Sequence, residues 1–284
     1  MASARDIRRR IRTVKNIEKI TSAMKMVAAA RLRKAQERAE AARPYAEKMH
    51  EVMGNLARSA GEIEHPLLQV REENNVAYLI VGAERGLAGS YNGNVMNKAL
   101  QDIKQHDPQS VKLMPIGRKA IGFFKKRPYE IAGSLEVGTE VSFMDIRNIT
   151  TQLRSMFESG DVDAVYLVYA KFISAMRQEP TVVKLLPMTR PDAEEFEAPA
   201  DFTFEPAAEQ LLATLLPRYV DTEVYQALVE AQASEQGARM SAMSGATKNA
   251  GEMINNLTLI YNKARQAAIT KEITEIVSGA EALK

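Results

Sequence analysis

The sequence predicts an α+β chain, a long antiparallel coiled coil of N- and C-terminal helices with a small α/β domain inserted between them. Three observations carry that expectation. Residues 1–43 contain neither Gly nor Pro, and residues 218–284 contain no Pro. Small and apolar residues recur at both ends of the chain with a mean step of about 3.5, the period of a coiled-coil seam rather than of a globular helix face. Between the ends the pattern changes to short apolar runs alternating with helix-favouring stretches, as in a partly parallel sheet.

The first helix opens with Ser3 and Asp6, three residues apart in the manner of a capping box. Its stripe runs Ile7, Ile11, Val14, Ile17, Thr21, Met24, Ala28, Leu32, Ala35, Ala39 and Ala42. Pro44 is expected to kink this helix without ending it, because residues 45–58 favour helix again. Strands are expected at 76–81, 111–116, 162–170 and 181–188, and helices at 91–106, 118–126 and 144–158. The acidic, proline-bearing stretch 191–205 reads as a linker. Pro206 suits a first helical turn, and Pro217 should kink the helix that follows. Ala246, Ala250, Met253, Leu257, Ile260, Ala264 and Ala267 make a second seam with steps alternating between four and three. The expected organisation is therefore a coiled coil of 1–60 with 206–284, an α/β domain at 74–190, and a linker at 191–205.

Two seams of matching period and similarly small residues pair most simply with each other inside one chain. Packing of each helix on the α/β domain, or dimerisation, is left open by the stripes alone. The last helix is longer than the first by some 20 residues, an overhang of about 30 Å at 1.5 Å per residue. Beyond Ala267 the apolar stripe becomes Ile269, Ile273, Ile276, Ala280 and Leu283, whereas the seam would continue to Lys271. The stripe has moved back two positions, about 200° around the axis, and so faces away from the first helix. An uncovered Ile-rich stripe marks an interaction site; the competing reading folds it back onto the α/β domain.

Composition narrows the function classes. Apolar residues make up 45% and aromatics 6%, with no Trp, which suits long helices better than a thick globular core. There is no Cys, so disulfides, thiolate zinc sites and cysteine nucleophiles are excluded. No apolar run reaches the length of a membrane span, and the start MASARDIRRRIR lacks the apolar core of a secretory signal. An Arg-rich amphipathic start can imitate a transit peptide, but the same helical pattern continues to Ala42 and reads as mature structure. Residues 1–43 hold thirteen Lys and Arg against four Asp and Glu, in a chain whose net charge is only +2. Arg5, Arg8, Arg9, Arg10 and Arg12 crowd a helix N-terminus, where the macrodipole disfavours cations. An acidic protein, nucleic acid or an anionic membrane would suit them, as would a plain solvated face.

Catalytic chemistry finds little support. His50, His65 and His106 have no ligand spacing and read as surface residues. GAERGLAGSYNG, residues 82–93, follows a strand and precedes a helix but matches neither the dinucleotide nor the P-loop pattern, so it reads as a tight turn. Asp161 and Asp163 read as a turn before a strand, and Met240, Met243 and Met253 as packing. No cofactor, metal or catalytic residue is expected.

Three segments carry a family resemblance: IRRRIRTVKNIEKITSAMKMVAAARLRKAQ (7–36), GAERGLAGSYN (82–92) and YNKARQAAITKEITEIVSGAEAL (261–283). They resemble the gamma subunits of rotary ATP synthases, bacterial type, and the order of parts matches over essentially the whole chain. The C-terminal segment, with Ile269, Thr270, Glu272, Glu275, Gly279 and Ala280, looks like that family's signature. Many relatives carry Ser-Asp before Arg-Gly and Cys after Leu, where this chain has Ala83, Glu84 and Ala88; these departures lie in the turn.

The resemblance implies a non-catalytic central rotor shaft, one copy inside a ring of alpha and beta subunits. Its globular part would meet the epsilon subunit and the c-subunit ring. Proton-driven rotation would thereby be coupled to ATP synthesis or hydrolysis. It further implies a peripheral position on the cytoplasmic face of the cell membrane, touched only indirectly, and no nucleic-acid partner. Residues matching Arg265 and Gln266 contact a catalytic beta subunit in that family, and those matching Met24 and Lys25 face the surrounding ring. With the terminal stripe, the expected partner interface is Met24, Lys25, Arg265, Gln266, Ile269, Thr270, Glu272, Ile273 and Ile276. Two rivals stand beside this reading: a coiled-coil nucleic-acid or scaffold protein using the basic helix, and an α/β nucleotide enzyme.

Overall fold

A computed structural model of the chain describes residues 4–59, 65–138, 141, 143–188 and 208–281. Helix α1 spans Ala4–Ser59 and runs through Pro44. Strand β1 is Val76–Val81, helix α2 Tyr91–Ile103 and strand β2 Val111–Ile116. Helix α3 is Arg118–Phe124, followed by a two-residue strand β3, Glu130–Ile131. Helix α4 is Phe143–Glu158, and β4 (Ala164–Phe172) and β5 (Gln178–Leu186) follow. Helix α5, Ala208–Glu281, runs through Pro217. Ser3, Pro206, Leu283 and the expected linker 191–205 lie outside the described residues. The chain divides into two compact units, Met1–Ala28 with Met240–Lys284, and Ala29–Arg239.

In the larger unit a five-stranded sheet has the order β3-β2-β1-β4-β5. β1 pairs in parallel with both β2 and β4, and β5 closes one edge antiparallel to β4. All six residues of β1 are buried, as expected of a parallel strand covered on both faces. Period-two alternation divides them between two cores. Ala77, Leu79 and Val81 face one that contains Ile146, Leu153 and Phe157 of α4, Met53 and Leu56 of α1, and Leu212, Leu216, Val220 and Val224 of α5. Val76, Tyr78 and Ile80 face the other, with Val95, Met96 and Ile103 of α2 and Ala120 and Phe124 of α3. A buried polar link joins α4 to α5: the Thr150 hydroxyl donates to Asp221, whose Oδ1 lies 3.8 Å from Arg154.

The histidines differ from the surface reading, because each is half-buried and engaged. His50 Nδ1 lies 3.0 Å from the Tyr219 hydroxyl. His65 caps a single turn, Pro66–Leu68, by accepting from the Leu67 amide. His106 lies edge-on to Tyr78.

In the smaller unit the two helices run antiparallel. The Thr21 and Thr247 hydroxyls are 2.8 Å apart, and Glu18 stands beside Gly251; facing residue numbers therefore sum to 268 or 269. On α1 the buried and half-buried positions Ile7, Ile11, Val14, Thr21, Met24 and Ala28 follow the expected stripe. Ile17 departs from it at 46% exposed, and Glu18 takes the inward place. On α5 the seam is Met243, Thr247, Ala250, Ile254, Leu257, Tyr261 and Ala264. Ile254 and Tyr261 stand where the sequence pattern selects Met253 and Ile260, both exposed. Each pair of neighbours is apolar, and only the register against α1 decides between them.

Candidate partner-binding surfaces

In the smaller unit the seam ends at Ala264, and Ala267 is exposed. That end follows from the register, which sets Ala4, the first described residue of α1, beside residue 264. Every described side chain from Arg265 through Ala280 is exposed. Ile269, Ile273 and Ile276 are 47%, 56% and 71% exposed. At 100° per residue they point about 120–180° from Ala264, so the rotation expected from Ala267 holds, though the seam it departs from ends one step earlier. Local bonds keep the segment helical: Thr270 donates to the Gln266 carbonyl at 2.9 Å and Thr274 to the Thr270 carbonyl at 2.8 Å. Lys271 and Glu275 form an exposed pair at 3.5 Å.

The expected interface residues fall into two groups. Arg265, Gln266, Ile269, Thr270, Glu272, Ile273 and Ile276 share the exposed tip. Met24, half-buried, and Lys25, exposed, lie about 30 Å away along the coil. Sequence reasoning missed an apolar exterior on the coil: Ile20, Met26 and Val27 on α1, beside Met24 and Lys25, are exposed, as are Leu259 and Ile260 on α5, nearer the tip. Ile20, Met26, Val27 and Leu259 stand in the sequence as apolar residues off the expected seam, whereas Ile260 is selected by the seam pattern itself. Arg5, Arg8, Arg9, Arg10 and Arg12 are exposed.

In the larger unit the loop after β1 is a pinned turn. Gly82 donates to the Ile116 carbonyl (2.9 Å), and Ala83 donates to Asn92 Oδ1 (3.0 Å). A Cβ at Gly117, whose φ is +85°, would stand 2.5 Å from the Gly82 oxygen. Arg239, 7% exposed, reaches the Arg85 and Gly86 carbonyls, each at 3.3 Å, and pairs with Glu235 at 2.6 Å. Burial raises the Glu235 pKa by more than Arg239 lowers it. Beside this loop lies a cavity of about 560 Å³. Asp163 accepts from the Asn74 and Asn75 amides and Asp161 pairs with Lys112, so both hold turns, as read from the sequence. Among the described residues no group of three or more His, Cys, Asp or Glu could hold a metal ion, and no helix is long and apolar enough to cross a membrane.

The family model described as ATP synthase matches residues 3–283. The "ATP synthase gamma chain" of Desulforamulus reducens is 47% identical over 285 residues, all of both chains. That of Desulfitobacterium hafniense is 48% identical, again over the full length of both. Among solved structures, a chain of the Euglena gracilis mitochondrial ATP synthase (OSCP/F1/c-ring) has a TM-score of 0.74 at 19% identity, covering 99% of this chain and 94% of that one. A chain of the Tetrahymena thermophila mitochondrial ATP synthase central stalk and c-ring has a TM-score of 0.60 at 25% identity, covering 80% of this chain and 99% of the other. These matches favour neither a nucleic-acid scaffold nor a nucleotide enzyme. With a family match across its length and relatives near half identity end to end, the chain belongs to the ATP synthase gamma-chain family.

Proposed function

We propose that the chain is the central rotor shaft of a bacterial ATP synthase, coupling proton-driven rotation to conformational change in the catalytic subunits. The observation that carries this reading is the bare helical tip, 265–280, whose apolar face has no partner within its unit among the described residues. A ring of alpha and beta subunits would enclose the tip, with Ile269, Thr270, Glu272, Ile273 and Ile276 running in an apolar sleeve. Arg265 and Gln266 would engage a catalytic subunit, and Met24 and Lys25 would face the same ring lower on the coil. The coiled coil takes in residues 1–60 and 206–284, and the α/β domain, 74–190, meets the epsilon subunit and the c-subunit ring. The shaft itself does no chemistry, and the isolated chain should not turn over ATP. It is peripheral to the cytoplasmic face of the cell membrane, reaching it through its partners.

A cross-linking experiment tests this directly, because the chain has no cysteine of its own. Ile276→Cys should form a disulfide with a cysteine placed in the ring of the reconstituted complex. Turnover should stop on oxidation and return on reduction. Full turnover in the cross-linked complex would refute rotation of this segment against its sleeve.

A further inference from the structure

We propose that the cavity at the carboxyl ends of β1 and β2 binds a small oligophosphate anion, in the chemical class of pyrophosphate. In open α/β sheets ligands settle outside the carboxyl ends of the strands, and Val81, Gly82 and Ile116 place this cavity there. Its volume, about 560 Å³, lies within the range of small-molecule sites.

The charge of its lining is unbalanced. Six cationic side chains, Arg31, Lys34, Arg38, Arg85, Arg118 and Arg239, meet three carboxylates, Glu84, Glu136 and Glu235. Two of those carboxylates each pair with one of the six cations, which leaves the net excess of positive charge unchanged. Glu84 binds Arg118 at 2.9 Å and accepts from the Val137 amide at 2.6 Å, and Glu235 binds Arg239. The cations arrive from four separate segments. Arg31, Lys34 and Arg38 fall at i, i+3 and i+7, one face of α1. Arg85 comes from the loop after β1, Arg118 from the start of α3, and Arg239 from α5.

A solvated charged face would spread such groups apart, whereas convergence on one confined space raises their mutual repulsion. A multiply charged anion offsets it, and guanidinium forks match phosphoryl oxygens two at a time. The loop after β1 is not a phosphate loop, since the Gly82 and Ala83 amides are occupied. Side chains would hold the anion, which is why no nucleotide motif marks the site.

Calorimetric titration of the full chain with pyrophosphate should show one saturable site at low millimolar concentration or below. Lys34→Gln and Arg85→Gln, both at exposed positions, should each weaken it about tenfold or more, the loss of one charge-assisted contact. Neither should shift the melting temperature of the ligand-free chain. Lys48→Gln, on α1 outside the cavity, should leave binding unchanged. Citrate, of similar charge, should bind more weakly. Absence of saturable heat would overturn the proposal. So would equal weakening by Lys48→Gln, indifference to the Lys34 and Arg85 variants, or citrate binding as tightly as pyrophosphate.

Discussion

Replacing Ile276 with Asp separates a bearing surface from a piece of core. Full burial of an Ile side chain is worth about 1.5–3 kcal/mol. Ile276 is 71% exposed in the isolated chain, so about 1–2 kcal/mol of that remains for a partner to supply. Ile276→Asp forfeits it and adds the cost of desolvating a carboxylate. Assembly of the ring around the shaft should therefore weaken by at least about 5–30-fold. Ile276→Val removes one methylene, worth about 0.8 kcal/mol at most, and should assemble almost normally. A sleeve that permits rotation cannot interlock tightly, so size should matter less than charge. The isolated chain should tolerate both changes: Asp costs a helix about 0.5 kcal/mol in propensity, and the position has no packing partner within its unit. The assays are a circular-dichroism melt of the isolated chain and gel filtration of the shaft mixed with alpha and beta subunits. If the Asp variant melts the isolated chain several degrees early, the tip is core and the reasoning fails.

Changing Arg265 and Gln266 together to Ala should lower turnover of the assembled complex while leaving the melt of the isolated chain unchanged; a matching loss of stability would mark them as structural. Gly117→Ala meets both a positive φ and the Gly82 carbonyl oxygen at 2.5 Å; it should destabilise the larger unit by about 2 kcal/mol or more, read by urea denaturation. Glu223 has a raised pKa because burial outweighs the contributions of His50 and Tyr219. A carboxyl whose folded pKa is raised contributes stability below its unfolded pKa and loses it as pH rises through the folded value. Glu223→Gln should therefore raise the melting temperature at pH 7 relative to wild type, with little gain at pH 4. An equal gain at both pH values would contradict that origin.

The elements most legible in the sequence were those with a strong local signal. β1 and β2 take their expected bounds because each is an apolar run closed by turn residues, and α1 and α5 are long, periodic and nearly free of breakers. β3 was missed because two residues, Glu130 and Ile131, carry no periodicity. The seam of α5 lies one residue later than its pattern at Ile254 and Tyr261, and Thr247 shares the place of Ala246, since the neighbours in each pair are both able to pack. The choice is made by α1, through Thr21 against Thr247. The bare tip could be anticipated because a change of stripe phase is a local property. The cationic cavity could not, because residues near 31–38, 85, 118 and 239 converge only through the tertiary fold.

The seam of the smaller unit has a mechanical consequence. Ala28, Ala250, Thr21 and Thr247 let the two backbones approach closely, so the pair has a small cross-section there. The torsional stiffness of a rod rises with the fourth power of its radius. A slender pair of helices therefore twists more readily than a three- or four-helix bundle of the same length, without breaking hydrogen bonds. Torque applied along this unit would be taken up in part as twist of the helix pair, ahead of any change in the thicker larger unit's packing.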